Sequence, residues 1–138
     1  MTLHVEVVSP ERILWTGEAQ MVIARTVDGG EIAFLTGHAP FVGALDIGQV
    51  LVRPDDGSAD MAIAVHGGFV EVSNDRVTIL SDVAELAEQI DQERARRALE
   101  TAEAALRGDS DDADADAAVR RANLRLAVAG GSPASAAH

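Results

Sequence analysis

The sequence predicts an antiparallel β-sandwich or barrel followed by an antiparallel pair of α-helices. Nine of the twelve glycines and three of the four prolines lie in the first 80 residues, whereas alanine dominates the remainder. In the first part, short stretches rich in valine and isoleucine alternate with turn residues, which is typical of strands and their connections. In the second part, apolar residues recur at intervals of three and four, which indicates amphipathic helices.

Six stretches of the first part are predicted to form strands, namely residues 3–8, 19–24, 48–52, 61–65, 69–72 and 77–80. Turn residues separate them, and clear turn signals lie at residues 28–30, 37–40 and 66–68. No helical segment is predicted between these strands to carry a crossover connection, so we expect them to pair antiparallel.

The second part is predicted to contain two helices. The first begins after Ser81 and Asp82, which can cap a helix start, with Glu85 three residues after Asp82. It ends near Gly108, because glycine is common just past a helix end. The aspartate-rich residues 109–116 follow, and the second helix spans about 115–129. The apolar stripe of the first helix consists of Leu86, Ile90, Ala95, Ala98, Leu99, Ala102, Ala105 and Leu106.

This pattern divides the chain into three parts. Residues 1–83 form the sandwich, residues 84–130 form the helical hairpin, and residues 131–138 form a disordered tail. Because alanine methyl groups bury little area, a hairpin of this composition has too small a core to be stable alone. We therefore expect it to dock on the sandwich, on another subunit or around a ligand, and such a module can act as a switch.

The composition excludes several classes of protein. The 138 residues include 11 basic and 23 acidic side chains, for a formal net charge of −12. Affinity for nucleic acids comes largely from cations that neutralise phosphates, so we expect no nucleic-acid partner. Cysteine is absent, which excludes disulfides, thiolate zinc sites and thiol nucleophiles. No apolar run approaches the roughly 20 residues of a bilayer span, and we expect a cytosolic chain without direct membrane insertion.

Histidine and serine give no sign of a catalytic or metal site. His4, His38 and His66 lack the spacing that places two imidazoles on one face of a strand or helix. We interpret His38 as a loop residue that bonds the nearby backbone rather than as a catalytic one. No serine has the glycine-flanked setting of a nucleophile, and the glycine pairs at 29–30 and 67–68 lack the lysine of a phosphate-binding loop.

Four arginines of the predicted hairpin form a candidate ligand site. Arg94 and Arg97 lie on the first helix, and Arg121 and Arg125 lie four residues apart on the second. Hairpin geometry can bring both pairs to one seam, where their guanidinium groups could hold a polyphosphate. Alternatively, they neutralise nearby carboxylates such as Glu85 in solvent-exposed ion pairs, and spacing alone favours this second interpretation.

The order of these elements, together with seven motifs, resembles the epsilon subunit family of bacterial F-type ATP synthases. The motifs are LHVEVVSP at 3–10, GEIAFL at 30–35, GHAP at 37–40, VHGGFVEV at 65–72, NDRVTI at 74–79, LSDVA at 80–84 and IDQERA at 90–95. They extend over nearly the whole chain. Ala33 stands where the family commonly has a glycine, which we expect to alter one strand locally without affecting the fold.

The resemblance implies a ten-stranded β-sandwich and a two-helix hairpin on the central rotor stalk of the enzyme. Such a subunit is not catalytic. Its sandwich contacts the gamma subunit and the membrane-embedded c-ring, so that rotation driven by proton flow reaches the catalytic head, where ADP and phosphate become ATP. The hairpin permits turnover when folded on the sandwich, and it inhibits ATP hydrolysis when extended along gamma toward the alpha3beta3 head.

The resemblance also implies a location and two interfaces. The subunit would be peripheral at the cytoplasmic face of the cell membrane, held there by the complex. Glu31 and His38 flank the end of the sandwich that faces the polar loops of the c-ring in the family. Gamma is expected on a sandwich face that includes residues 77–80.

Some bacterial members of the family bind ATP in the folded hairpin. Thr101 stands where such members usually have a further arginine, and the aspartate-rich stretch adds negative charge near the phosphates. We therefore expect no required cofactor and at most weak regulatory binding of ATP. The positions of the ATP motif that this sequence keeps are Glu85, Ile90, Asp91, Arg94, Ala95, Arg121 and Arg125.

Two other classes of function are alternatives. A stand-alone ATP-sensing module is compatible with the hairpin arginines. A cupin-type metalloenzyme would use His38 and His66 as metal ligands, but it would need further ligands at matched strand positions. The match throughout the predicted sandwich favours the rotor subunit over both.

Overall fold

The computed structural model describes residues 1–130, and the tail predicted at residues 131–138 lies outside the described residues. In the described part, seven strands precede two helices. The elements are β1 (Leu3–Val8), β2 (Ile13–Thr26), β3 (Gly30–Phe34), β4 (Phe41–Pro54), β5 (Met61–Ser73), β6 (Arg76–Leu80), β7 (Ala84–Leu86), α1 (Gln92–Gly108) and α2 (Ala113–Ala129). A turn of 3-10 helix, Ala87–Gln89, connects β7 toward α1.

The strands form one sheet that closes on itself. Its order is β1-β6-β5-β4-β2-β3, β1 also pairs with β2, and the short β7 pairs with β5. Neighbouring strands are antiparallel, except that β1 runs parallel to β6, with Val5 opposite Val77. The prediction of purely antiparallel pairing is therefore wrong at this pair. No helical crossover is needed there, because the chain passes from β1 to β6 through the four strands between them in sequence.

Residues 1–130 contain seven strands, whereas the resemblance implies ten. β2, β4 and β5 are each 13 or 14 residues long, and they take the place of several shorter strands. β2 pairs with β1 through its first half and with β3 and β4 through its second half. Shifts in register between Ala19 and Met21, and again between Ile23 and Thr26, let one strand serve both pairings.

The core of the sheet is formed by alternate side chains. β1 shows the pattern most simply, because Leu3, Val5 and Val7 are fully buried whereas the residues between them are partly exposed. Phe34 and the buried aliphatic side chains of the other long strands belong to the same cluster. The cluster is apolar throughout, so burial of apolar surface stabilises a sheet that has no disulfides.

The His66-Gly67-Gly68 segment lies inside β5, so the turn predicted there is wrong. His66 pairs with Ile47 of β4, and the strand continues beyond it. The φ angles of Gly67 and Gly68 are 86° and 118°, and a Cβ atom on Gly68 would lie 2.1 Å from the carbonyl oxygen of Leu80. The glycines thus let β5 pass close to the end of β6 without ending the strand.

α1 begins at Gln92, eight residues after the predicted start, so that part of the prediction is wrong. Its N-cap is Asp91, whose carboxylate accepts a hydrogen bond from the backbone NH of Arg94 at 3.1 Å. The predicted end at Gly108 is confirmed. The second helix is also confirmed, since α2 begins two residues earlier than predicted and is capped by Gly130.

The segment before α1 adds to the sheet instead. Ala84–Leu86 forms β7 on the edge of β5, where its backbone groups find partners that an isolated first helical turn would lack. The backbone NH of His66 also donates to the carbonyl oxygen of Val83 at 3.0 Å. Leu86 and Ile90 are therefore not part of the apolar stripe of α1.

The hairpin is docked on the sheet. Leu124 and Val128 of α2 are buried with Ala64 of β5 in a cluster separate from the core of the sheet. α1 packs on α2 and has few contacts with the strands. The docking expected from the alanine-rich composition is thus confirmed, and the sandwich is the partner. Around the cluster lie the partly buried side chains of Ile47, Ala62, Ala87 and Ile90.

Candidate functional site

A cavity of about 460 Å³ opens where β7, the start of α1 and the middle of α2 meet. Six of the seven residues predicted for ATP binding are brought together here, although they come from separate elements. The seventh, Arg121, is partly buried one turn before Arg125 and does not line this cavity. The lining consists of Glu85, Gln89, Ile90, Asp91, Arg94, Ala95, Ala98 and Arg125.

A second cavity, of about 700 Å³, lies farther along the seam between the helices. Arg94 lines both cavities, and Arg97 and Thr101 line the second. Asp112 and Asp114 also line it, so carboxylates from the start of α2 share this space with the arginines of α1. Negative charge is therefore present beside the arginines that would bind phosphate groups.

A network of three side chains joins the sheet to α2 beside the first cavity. The Nε of Arg125 donates to Oε1 of Glu85 at 2.8 Å, and Nε2 of His66 lies 2.9 Å from the same oxygen. Only 3% of the His66 side chain is exposed, against 24% for Glu85 and 28% for Arg125. The network therefore connects β5, β7 and α2 at one point, and we call it the His66 network.

In the His66 network, His66 and Glu85 have lowered pKa values, for different reasons. Burial lowers the pKa of His66 and outweighs its hydrogen bond to Glu85, and the positive charges of Arg125 and Arg121 lower it further. Burial works to raise the pKa of Glu85, but the hydrogen bonds from Arg125 and His66 outweigh it and keep the pKa below its ordinary value. At pH 7 the network therefore holds a neutral imidazole beside a carboxylate and a guanidinium.

A second ion pair joins α2 to the sheet. Nη2 of Arg120 donates to Oδ1 of Asp46 at 2.8 Å, and the same oxygen accepts from the backbone NH of Ile47 at 2.8 Å. Burial works to raise the pKa of Asp46, but these hydrogen bonds outweigh it and leave the pKa lowered. α2 is thus attached to β4 and to β7 by separate ion pairs.

His38 lies in the loop after β3, in the setting that the sequence predicts. Its Nδ1 lies 2.7 Å from the carbonyl oxygen of Ala39, and its ring packs edge-on against Phe34 with the ring centroids 4.9 Å apart. Glu31 is exposed near the start of β3, opposite Arg25 of β2. The two residues predicted for the c-ring interface are thus separated by the length of β3, and their role stays a prediction.

An exposed apolar patch lies on the outer face of the sheet, formed by Val42 and Ala44 of β4, Phe69 of β5 and Leu80 of β6. Phe69 pairs with Ala44 on one side and with Leu80 on the other, so the three side chains share a face. Val42, Phe69 and Leu80 are 70%, 56% and 44% exposed. Contiguous exposed apolar groups of this kind mark an interaction surface.

Among residues 1–130, no group of three or more histidine, cysteine or carboxylate side chains is placed to hold a metal ion. No helix in this part of the chain is both long enough and apolar enough to cross a membrane. His38 and His66, the candidate ligands of a cupin-type enzyme, lie in a loop and in the buried network respectively.

Comparison with known proteins decides the family. The family model described as ATP synthase, delta/epsilon chain, beta-sandwich domain matches residues 2–87. The ATP synthase epsilon chain of Streptomyces griseus is 48% identical over 124 residues, covering 90% of this chain and 92% of that relative. The ATP synthase epsilon chain of Thermobifida fusca is 50% identical over 129 residues, covering 92% of this chain and 91% of that relative. This chain belongs to the ATP synthase epsilon chain family.

A solved structure agrees with this membership. The structure of Euglena gracilis mitochondrial ATP synthase, with OSCP, F1 and the c-ring in one rotational state, contains a similar chain with a TM-score of 0.68 and 25% identity. The match covers 99% of this chain and 81% of that chain. As an epsilon chain, the protein is a non-catalytic subunit of F-type ATP synthase, and the predicted β-sandwich is confirmed. The stand-alone sensor and the cupin-type enzyme are therefore wrong.

Within the epsilon chain, His66 is the member of the site that sequence reasoning placed elsewhere. The two glycines after it favour a turn, whereas the structure continues the strand. The available signal was the alternation of Ala62, Ala64 and His66, which places all three on one face of β5 if the strand runs on. That face is the one that α2 covers.

Proposed function

We propose that this epsilon chain works on the central stalk, where the sandwich transmits rotation and the hairpin regulates ATP hydrolysis. The sandwich contacts gamma and the c-ring and so couples proton-driven rotation to the synthesis of ATP from ADP and phosphate. The docked hairpin permits turnover, and the extended hairpin reaches the alpha3beta3 head and inhibits hydrolysis. The complex holds the subunit peripherally at the cytoplasmic face of the cell membrane.

The observation that carries the regulatory part of this proposal is the separation of two packing clusters. Within residues 1–130, the core of the sheet contains no helical residue, whereas α2 is held by the small second cluster and two ion pairs. Burial of Leu124 and of Val128 contributes about 2 kcal/mol each before the cost of ordering the helices is subtracted. An interface of this size can open while the sheet stays folded, which is what a detachable regulator requires.

We assign the apolar patch to gamma. The patch includes Leu80, and it lies on the strands that the resemblance implies for this contact. Phe69 is 56% exposed while the hairpin is docked, so gamma can bind the patch without displacing α2. A surface that is available in the docked state suits a subunit that stays on the stalk while its hairpin moves.

We assign the end of the sandwich that carries the His38 loop to the c-ring, with Glu31 as a separate polar contact at the other end of β3. The backbone NH of Gly37 donates to Oδ1 of Asp75 at 2.6 Å, which ties this loop to the turn between β5 and β6. Asn74 and Asp75 in that turn have positive φ angles of 53° and 60°. The result is a constrained polar surface, suited to contact with polar loops.

The cavity at the start of α1 supports weak regulatory binding of ATP to the docked hairpin. Arg94 and Arg125 can bind phosphate groups, but Glu85 already engages Arg125, so a phosphate must compete with a carboxylate. Asp112 and Asp114 add further repulsion nearby. ATP bound only to the docked state stabilises that state by mass action, and it is not a required cofactor.

The test is ATP hydrolysis by the rotary complex reconstituted with the full chain or with a chain ending at Ile90, which keeps β7 and removes both helices. Higher hydrolysis with the shortened chain supports the inhibitory role, and preincubation with millimolar ATP should raise hydrolysis only with the full chain. Equal hydrolysis with both chains contradicts the inhibitory role. Co-purification with gamma checks that both chains assemble.

A further inference from the structure

His66 is a buried ionisable side chain at the interface between the sheet and the hairpin, and the proposed function does not use it. It lies two residues after Ala64 on β5 and on the same face. Ala64 packs with Leu124 and Val128 of α2, so the docked helix covers the face that carries the imidazole. His66 is therefore enclosed because the hairpin is docked.

The hydrogen bonds of His66 favour its neutral form. Oε1 of Glu85 accepts, so Nε2 carries the hydrogen and Nδ1 carries the lone pair. Nδ1 is buried and has no hydrogen-bond partner among the described residues. A proton added at Nδ1 would create a second buried NH, and unlike Nε2–H this one would have no acceptor, which is costly.

The charged groups around the imidazole have opposing effects on its protonation. Glu85 of β7 attracts a proton to the imidazole, whereas Arg125 and Arg121 of α2 repel one. The repelling charges thus both belong to the element that leaves when the hairpin opens. Of the other charged groups on the surrounding elements, Asp46 pairs with Arg120, and Asp91 and Arg94 line the cavity.

We propose that His66 is a proton-sensitive latch for the helical hairpin, whose neutral imidazole keeps α2 docked and whose protonation releases it. In the docked state, burial and the two arginines hold the pKa of His66 below its ordinary value. In the released state, Arg121 and Arg125 depart with α2 and water reaches the ring, so the pKa rises. The proton therefore binds the released state more tightly, and acidification favours release.

The docked hairpin is expected to lose stability over a defined range of pH. Docking has its full stability above the ordinary histidine pKa of 6.5 and loses stability as the pH falls below it, toward the lower pKa of the docked state. Because one proton is linked to one opening, the equilibrium constant for release rises by at most about tenfold per pH unit. Glu85 and Asp46 have lowered pKa values, so they weaken docking only below the ordinary carboxyl values of 4.5 and 3.8. The consequence for ATP hydrolysis, inhibition upon acidification, rests on the proposed function.

The test follows release of the hairpin in the full chain by electron paramagnetic resonance. The sequence has no cysteine, so spin labels can be placed at Ser58→Cys in the loop after β4 and at Asn123→Cys on the exposed side of α2. As the pH is lowered from about 7.5 to about 5, the fraction of chains with a released hairpin should rise when His66 is present. His66→Gln can still donate to Glu85 but cannot be protonated, so its released fraction should not change with pH.

Arg120→Gln is the matched control, because it breaks the other ion pair of α2 without touching His66. It should release more hairpin at every pH and keep the pH dependence. A constant released fraction with His66 present, or the same pH dependence with His66→Gln, overturns the proposal.

A second measurement decides the case where His66→Gln does not fold. Nuclear magnetic resonance titration of the His66 ring in the full chain should give a higher pKa after Arg125→Gln, because a repelling guanidinium is removed. An unchanged pKa overturns the proposal. Neither measurement involves ATP hydrolysis, so failure of the latch and failure of the proposed function are distinguishable.

Discussion

Gly68 is the position where β5 and the end of β6 come too close for a side chain. Its φ angle of 118° is a conformation that L residues rarely adopt, and the carbonyl oxygen of Leu80 lies 2.1 Å from where a Cβ atom would be. Gly57 also has a positive φ, 83°, but it lies in a turn with nothing within 4 Å of such an atom. Substitution of Gly57 therefore measures the energetic cost of an unfavourable backbone conformation alone, whereas substitution of Gly68 adds the cost of a steric clash.

Gly68→Ala should lower the free energy of unfolding by about 3 kcal/mol or more, because the backbone of Leu80 must move. Gly57→Ala is the matched control, and it should cost about 1 kcal/mol, from conformation alone. Urea denaturation of both variants measures the difference. An equal loss in the two variants would mean that the end of β6 moves aside without cost.

Arg94 is the residue on which the ATP proposal is best tested. Arg94→Ala should weaken binding about tenfold, because a charge-assisted hydrogen bond to phosphate is lost. Arg96→Ala is the matched control, since Arg96 is exposed on the same helix, pairs with Glu93 and does not line the cavity. Calorimetric titration with ATP measures both, and equal weakening would indicate a general effect of charge rather than a site.

At the scale of the elements, the helices could be predicted better than the segment before them. Periodicity and the glycines at their ends place α2 and the end of α1 to within two residues. Ala84–Leu86 has helix-forming residues, but the open edge of β5 draws it into the sheet, and that edge is a tertiary feature. His66 was misplaced for the same reason, because only the folded sheet shows that β5 continues through two glycines.

The residues of the candidate site could be predicted from the sequence, but the hydrogen bonds and ion pairs between them could not. The motif from Glu85 to Ala95 and Arg125 of α2 identify side chains that meet at the cavity, whereas Arg121 does not line it. The pairing of Arg125 with Glu85, and the burial of His66 behind them, depend on how α2 sits on the sheet. The local sequence does not determine how α2 is oriented on the sheet. Only the structure shows that a phosphate group would compete with Glu85 for Arg125.

The division between sheet and hairpin predicts different outcomes for two shortened chains. A chain ending at Ile90 should fold cooperatively, because it keeps every residue that packs in the core of the sheet. A chain ending at Asp82 should be less stable by about 2 kcal/mol or more, because it loses the pairing of β7 and the packing of Leu86. Circular dichroism during urea denaturation measures both chains. An unfolded chain ending at Ile90 would contradict the proposed domain division.

For the whole molecule, the placement of interfaces follows from what the docked hairpin covers and what it leaves exposed. α2 covers the part of β5 around Ala64, whereas the apolar patch around Phe69 stays exposed. The subunit can therefore hold gamma through one surface while the hairpin binds and leaves another. This arrangement separates attachment to the rotor from regulation.

Phe69→Ala should weaken binding to gamma about tenfold or more, because a large exposed aromatic side chain at the centre of a patch is a typical anchor. Leu35→Ala is the matched control, since Leu35 is 53% exposed in the loop after β3 and is not part of the patch. Surface-immobilised gamma and the two variants give the dissociation constants. Equal binding by Phe69→Ala and the unaltered chain would exclude the patch as the gamma surface.

The parallel pairing of β1 with β6 also determines when the sheet can be completed during synthesis. Val5 faces Val77, 72 residues later in the chain, so the ring of strands cannot close until β6 has left the ribosome. Contacts between such distant residues make folding slow, in the millisecond to second range, because a long loop must be ordered before they form. Until then β1 lacks its second neighbour and presents an unpaired edge. Nascent chains of this subunit therefore depend on protection from aggregation until most of the sandwich has been made.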